Sequence, residues 1–314
     1  MFCVWVTSSL ETALTPTAVA LGNFDGVHRG HQQVVQPILE KGQKQNSEIP
    51  TVVTFNPHPQ EFFTGKLRTL LTPLDEKVQQ LRSLGVEQLV LLPFDRELAE
   101  LSPQQFVEKI LVQQLQALRV TVGEDFCFGQ GRTGTSADLQ AIAASYGIKV
   151  NIIPLQICQG ERISSSCIRQ SLSQGDLQRA TRLLGRPYTL TGIVVEGRQL
   201  GRTLGFPTAN LQLPPEKFLP RNGVYCVRIW GSNLSPLTGV MNIGQRPTVN
   251  GTSTSVEVHL LDWSGDLYGQ ILTVSLEKFL RAEEKFASTD ALKAQIQRDA
   301  GAARAFLSAE WENA

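Results

Sequence analysis

The apolar rhythm of this chain changes part-way along, and that change limits the folds open to it. Up to about residue 153, short Val/Ile/Leu-rich runs alternate with helical patterns. The runs are TAVALGNF (17–24), IPTVVTF (49–55), EQLVLLPF (87–94), LRVTVG (118–123) and IKVNII (148–153). They show little apolar/polar alternation, which suits strands covered on both faces. Between them, LDEKVQQLRSLG has apolar residues at 74, 78, 81 and 84 and a closing glycine, which predicts a helix. Ser102-Pro103 reads as a cap followed by proline at the first helical position, and TSADLQAIAASYG (135–147) opens on cap residues. Strand–helix alternation with short connections predicts a doubly wound parallel sheet. HQQVVQPILEKG also reads as helix, but its Pro37 predicts a kink or an early end.

After about residue 185 the helical pattern stops. TLTGIVVEG (189–197), GVYCVRIW (223–230), PLTGVMNIG (236–244), TSVEVHLLDW (254–263) and QILTVSLEKFL (270–280) are strand-like and separated by Gly, Pro, Asn and Ser. Such punctuation points to an antiparallel sandwich or small barrel. A capped closing helix follows over 288–309. At about 150 residues per domain, 314 residues suggest two domains. The boundary is expected at LLGRPY (183–188), giving domains 1–184 and 185–314.

Composition narrows the function classes. Lys plus Arg and Asp plus Glu both total 29, which argues against a nucleic-acid partner, because counterion release needs surplus cations. A local basic pocket for a small phosphate ligand stays open. The five cysteines, at 3, 127, 158, 167 and 226, form no C-x-x-C pair. That speaks against a zinc knuckle and for a reducing compartment. No basic leader and no run of about 18 apolar residues is visible, so no membrane association and a cytoplasmic location are expected. Nothing in the sequence decides the oligomeric state.

The strongest local signal is GNFDGVHRGH (22–31), where a buried strand gives way to a helix. Gly22, Gly26 and Gly30 let a ligand approach the backbone closely, and a helix N-terminus favours an anion. His28 and His31 can donate to developing phosphate charge; the alternative is a glycine-rich turn with two surface histidines. His58 lies in FNPHP at the next strand end, so three of the four histidines occupy strand-end loops. A metal site is the rival reading there, although no Cys or carboxylate stands at ligand spacing. In GEDFCFGQGRTG (123–134), Phe126 and Phe128 either wall a flat ring system or belong to the core, with Arg132 available for phosphate. ISSSCIR (163–169) opens a helix with hydroxyls that either cap it or bind phosphate with Arg169.

In the second half, GRTLGFPTAN (201–210) is a glycine-flanked loop. Its Thr and Asn oxygens suit a magnesium ion that also holds phosphates, and the alternative is a turn-rich connection fixed by Pro207. In SVEVHLLDW, Val256 and Val258 face one side and Glu257 the other, with Ser255 and His259. Glu257 is either a solvated strand carboxylate or an alcohol-activating base.

Together these segments resemble the bacterial bifunctional riboflavin kinase/FMN adenylyltransferases, also called FAD synthetases. The resemblance runs through GNFDGVHRGH, TFNPHP, FDRELAELSPQQFV, VGEDFCFGQGRTG, ISSSCIR, GRTLGFPTAN, PRNGVY, GVMNIGQRPT, VEVHLLD, DLYG and FLRAEEKF, nearly the whole chain. It implies an α/β Rossmann-like nucleotidyltransferase domain, then an antiparallel six-stranded β-barrel with a C-terminal helix. The first would join FMN to the AMP part of ATP, releasing pyrophosphate; the second would phosphorylate riboflavin to FMN; both would use Mg2+. It further implies catalytic roles for His28, His31 and Glu257. Gly22, Asn23, Phe24, Asp25, Gly26, Gly30, Ser164, Ser165, Ser166 and Arg169 would hold the adenylyltransferase's ATP alongside the two histidines. His58, Asp125, Phe126, Phe128 and Arg132 would lie at its FMN. Gly201, Thr203, Gly205, Phe206, Pro207, Thr208 and Asn210 would hold the kinase's ATP, Thr208 and Asn210 also taking its metal. Arg281, Glu284 and Phe286 would flank its flavin. The departures are Ser166, where the family often has Thr, Cys167 at a variable position, and Pro37. Two other readings are a kinase-only enzyme with a scaffold first domain, and a flavin-binding regulator.

Overall fold

The computed structural model describes residues 3–40, 48–197, 201, 204–231, 234–248 and 251–311. Its contacts divide the chain into two units, residues 1–165 and 166–314.

The first unit contains β1 (Trp5–Thr7), β2 (Thr17–Leu21), α1 (Arg29–Leu39), β3 (Ile49–Asn56), α2 (Pro59–Thr64), α3 (Leu74–Leu84), β4 (Gln88–Pro93), α4 (Arg96–Glu100) and α5 (Pro103–Phe106). The chain goes on as a π-helix (Val107–Gln114), β5 (Ala117–Gly123), β6 (Cys127–Phe128), β7 (Gly134–Thr135), α6 (Ser136–Ala144), β8 (Lys149–Ile153) and the β9 (Ile157–Cys158)/β10 (Glu161–Arg162) hairpin. Six strands form one sheet in the order β1-β4-β3-β2-β5-β8, and every pair is parallel. Alternate residues of one strand serve opposite faces. Val19, Leu21, Val53 and Val120 pack with Phe106, Leu111 and Leu139, whereas Ala18, Ala20 and Val52 pack with Val35, Ile38 and Leu81. That two-sided burial is why the strands read as unbroken apolar runs. The five expected strands are present. The sixth, β1, is a three-residue edge strand with two exposed positions, too short to register as a run.

The helix signals act as the residue types dictate. The Ser102 and Thr135 side chains accept from the backbone of Gln105 and Asp138, whose side chains reach back to complete capping boxes. Gly85 ends α3 at φ 101. The apolar stripe of α3 departs from its sequence pattern at the start: Leu74 is exposed, while Glu76 and Lys77 are buried. Helix α1 runs through Pro37 and stops two residues later. So late in a helix, proline interrupts little of the ladder. Arg119 of β5 then receives the free carbonyls, donating to Pro37 O at 2.9 Å and Glu40 O at 3.0 Å while pairing with Glu48.

The second unit takes α7 (Ser165–Gln174, from its second residue on) and α8 (Leu177–Leu184). A barrel follows, of β11 (Tyr188–Val195), β12 (Ala209–Gln212), β13 (Gly223–Gly231), β14 (Leu234–Thr248), β15 (Gly251–Leu260) and β16 (Ile271–Arg281). It closes in the order β11-β12-β15-β14-β13-β16, antiparallel throughout. Five of these strands match the expected runs. The sixth, β12, begins inside the segment read as a loop, so Asn210 stands on a strand. The closing helix α9 (Thr289–Trp311) packs Ala300, Ala303 and Leu307 against Cys226. Helices α2, α4 and α8 have no counterpart in the sequence pattern.

Candidate functional site

In the first unit the chain leaves β2 through a contorted turn. Phe24 (φ 47), Gly26 (φ 90) and Val27 (φ 41) all sit in the left-handed region, which is disfavoured for a β-branched residue above all. Tertiary hydrogen bonds hold it there. Asp25 is 4% exposed, and its Oδ1 accepts from the backbone of Leu71 (2.8 Å) and Thr72 (3.3 Å). Gly26 N donates to Thr72 Oγ1, and Ser165 Oγ donates to Asp25 O at 2.8 Å. Asn23 O accepts from Thr54 Oγ1 and from Lys77 Nζ, both at 3.0 Å. The turn delivers His28 as the N-cap of α1, its Nδ1 accepting from His31 N at 3.2 Å. That bond puts the neutral ring's proton on Nε2. The His28 and His31 rings stack at 3.6 Å.

His58 caps α2, which starts where β3 ends. Its Nδ1 accepts from Gln60 N at 3.0 Å, and Arg68 Nη1 lies 3.1 Å from its Nε2. Burial first, and the Arg68 charge second, hold the imidazole below its ordinary value. Burial also pushes the Lys77 ammonium below the usual lysine range, against the pull of Asp25.

Two cavities open here. One of about 100 Å3 is lined by Asn23, Asp25, His58, Arg68 and Lys77 among others. The other, of about 410 Å3, has an aromatic wall: Phe55, Phe63, Phe94, Phe106 and Phe128 line it, with His58, Cys127 and Arg132 among others. Asn23, Phe55 and His58 belong to both. A sizeable apolar cavity beside a smaller one that carries charged side chains suits a flat ring with a polar tail.

In the barrel, Asn210 of β12, Glu257 of β15 and Asn242 of β14 are direct cross-strand partners, so their side chains share a face. Glu257 alternates with buried Val256 and Val258, as its sequence pattern indicates. Thr208 Oγ1 donates to Glu257 Oε2 at 3.4 Å. A Cβ on Gly197 would stand 2.1 Å from Asn210 Nδ2, and one on Gly201 would stand 2.4 Å from Phe206 O. Glycine at both positions lets the chain close around the Thr208–Asn210 segment. His259 Nδ1 donates to Pro207 O at 2.8 Å, and its ring meets Phe206 edge-on. A cavity of about 630 Å3 extends from Pro207 and Thr208 to Trp263, Leu267 and Tyr268. The hydroxyl, amide and carboxylate oxygens of Thr208, Asn210 and Glu257 fit a hard cation. Among the described residues, no group of three or more His, Cys, Asp or Glu could hold a metal ion.

Two family matches cover the two architectures: FAD synthetase over residues 10–167, which takes in the parallel sheet, and riboflavin kinase over 184–307, which takes in the barrel. The bifunctional riboflavin kinase/FMN adenylyltransferase of Escherichia coli K12 is 45% identical over 290 residues, 92% of each chain. That of Haemophilus influenzae is 40% identical over 292 residues, 93% of this chain and 94% of its own. The chain belongs to the bifunctional riboflavin kinase/FMN adenylyltransferase family. A crystal structure described as a macrolide-efflux protein from Streptococcus pneumoniae superposes with a TM-score of 0.86 at 30% identity, covering 96% of this chain and 99% of its own. No described helix here is long and apolar enough to cross a membrane.

In the FAD synthetase half, the structure gathers Asn23, Asp25, His28, His31 and Ser165 around one turn, with Gly22, Phe24, Gly26 and Gly30 as its backbone. His58, Phe128 and Arg132 meet at the aromatic cavity. Phe126 instead stacks on Phe128 and packs against the core, and exposed Asp125 pairs with Arg162. Ser164 is half-buried just before α7. Ser166 and Arg169 fall in the second unit, Arg169 lying 5.4 Å from the centroid of the Phe218 ring. In the riboflavin kinase half, Thr208 and Asn210 border Glu257, Gly201 lies against Phe206 and Thr208, Phe206 and Pro207 contact His259, Gly205 stands in the connecting segment, and Thr203 lies outside the described residues. Arg281 is bound by Asp299 at 2.8 Å and lies over Phe286; Glu284 is exposed.

Sequence reasoning missed Lys77, Arg68, Asn242 and the aromatic wall of Phe55, Phe63, Phe94 and Phe106. Lys77 had a readable signal: it sits three residues after Leu74 and four before Leu81, a lysine inside an apolar stripe. The aromatic wall had none, because its members come from four separate segments.

Proposed function

We infer that the two halves of this chain carry out successive steps at the two sites, and we assign the residues accordingly. The chain is a bifunctional riboflavin kinase/FMN adenylyltransferase, with the FAD synthetase domain first and the riboflavin kinase domain second. Kinase-only and regulator readings give way to the family match over both halves. We set the functional boundary between Leu184 and Gly185, where α8 ends and the riboflavin kinase match begins.

In the kinase step the riboflavin 5′-hydroxyl attacks the γ-phosphorus of ATP. ADP leaves, and the hydroxyl proton passes to Glu257. A neutral alcohol gains from a base, and Glu257 is the carboxylate on the Thr208–Asn210 face. Thr208 and Asn210 would hold Mg2+ there, which neutralises phosphate charge when bound. In the adenylyl step an FMN phosphate oxygen attacks the α-phosphorus of ATP, and pyrophosphate leaves. This nucleophile is already an anion, so the protein's task is positioning and charge stabilisation. The α1 N-terminus, with His28, His31 and Ser165 against the same turn, is suited to the triphosphate. The aromatic cavity is suited to the flavin ring. We place the protein in the cytoplasm, where its five free cysteines fit a reducing environment.

The observation that carries this reading is the juxtaposition of Thr208, Asn210 and Glu257 in one half and of the stacked His28/His31 helix cap in the other. The test is to incubate the protein with riboflavin, ATP and Mg2+ and resolve the flavins by chromatography. Glu257→Gln lowers FMN formation by about 10²–10⁴-fold, the range for a lost general base, and spares FMN adenylylation. His31→Ala does the reverse. Equal loss of both activities in either variant overturns the assignment.

A further inference from the structure

Lys77 lines the small cavity of the FAD synthetase half, and neither the phosphate nor the flavin assignments account for its presence. It is 8% exposed, on a helix whose sequence pattern calls for an apolar side chain at that place. Burying an ammonium is unfavourable unless it is paired or hydrogen-bonded; here the buried Asp25 carboxylate attracts it and a backbone carbonyl, Asn23 O, accepts from it. Thr54 Oγ1 donates to that same oxygen, so the carbonyl has a partner without the lysine. An apolar side chain of the same length would fill the volume without the desolvation penalty. A charged donor at this position therefore does more than satisfy a hydrogen bond.

The backbone beyond Asn23 supplies a use for it. The next four residues include Phe24, Gly26 and Val27 at positive φ, a path that persists only where surrounding contacts over-determine it. The far end of the turn is His28, whose cap geometry sets the start of α1 and the stacked imidazoles. Lys77 grips the near end with a charge-assisted bond, the stronger kind. Thr72 and Ser165 grip the middle. Asn23 itself lines both cavities, whereas Lys77 lines only the small one. The Asn23 backbone thus sits between the flavin-sized cavity and the histidine cap, the two places whose ligands must meet.

We propose that Lys77 is a positioning residue for adenylyl transfer: its ammonium pins the Asn23 carbonyl and so fixes the turn that presents Asn23, His28 and His31 to the reacting phosphates. The inference rests on the assignment of adenylyl transfer to this half. Pre-set geometry of this kind acts on turnover more than on binding, and a misplacement of about 1 Å costs up to about 10²-fold in rate.

The test compares full-length Lys77→Met, Lys77→Arg and His31→Ala. FAD formation is measured at varied FMN and ATP, riboflavin phosphorylation is measured in parallel, and thermal unfolding is recorded. Lys77→Met is expected to lower kcat for FAD formation by about 10- to 10²-fold, with KM for FMN little changed and riboflavin phosphorylation at the wild-type rate. Lys77→Arg, which keeps a charged donor, recovers a large part of kcat. A wild-type kcat in Lys77→Met overturns the proposal. So does equal loss in the Met and Arg variants, or a loss that tracks a lowered unfolding temperature. If His31→Ala leaves FAD formation intact, the site reading itself has failed; if His31→Ala is inactive and Lys77→Met is not impaired, only the role of Lys77 has.

Discussion

His58 serves the first unit twice. Its Nδ1 accepts from Gln60 N to cap α2, and its Nε2 faces Arg68 Nη1, so both ring nitrogens meet donors. Protonating the ring would turn Nδ1 into a donor and break the cap, as well as place a second cation beside the guanidinium. Burial and Arg68 hold the folded-state value below the ordinary 6.5. The unfolded chain therefore binds this proton more readily than the native one, and stability falls as pH drops below about 6.5. The loss levels off once pH passes the lower, folded value. The urea midpoint of wild type should drop between pH 7.5 and pH 5.5, and His58→Gln should show a smaller drop over the same interval. Equal drops in the two proteins would remove His58 from the acid response.

Among the elements, α1 is finished by a residue remote in sequence. Its last carbonyls go to Arg119, whose side chain is 17% exposed and paired with Glu48 at 12%. Arg119→Met would leave a largely buried carboxylate and two carbonyls short of a donor. The expected loss is about 3 kcal/mol, in the range for one partner removed from a buried pair, read from the urea midpoint; a loss below about 0.5 kcal/mol, the scale of ordinary surface changes, would mean the cap is idle. Pro37 also shows where sequence reading stops: the proline announces that the helix must end soon, but only the neighbouring strand shows how the end is satisfied. The same division holds elsewhere. Capping boxes at Ser102 and Thr135 and the Val256/Val258 alternation are local, and the residues alone state them. Strand β12 and the exposure of Leu74 are decided by partners across a sheet or groove. Likewise GNFDGVHRGH and PTAN stand out as motifs, whereas Lys77 reaches Asn23 across 54 positions and Phe55, Phe63, Phe94 and Phe106 converge only on folding.

At the scale of the whole chain, the proposed assignment gives the two steps separate sets of residues. On that assignment Glu257→Gln should retain FMN adenylyltransferase activity and His31→Ala should retain riboflavin kinase activity. An equimolar mixture of the two variants should therefore convert riboflavin and ATP to FAD, with FMN released by one protein and taken up by the other. Chromatography of the mixture checks this, and absence of FAD while each variant keeps its remaining activity would mean FMN never leaves the molecule that makes it. The sheets differ in one further respect. Because β16 pairs back onto β11, the barrel offers no starting rail for strand-by-strand accretion. The parallel sheet does have outer rows, β1 and β8, but they run for only three and five residues, so a heat-stressed molecule meets its neighbours with little main chain to lend them.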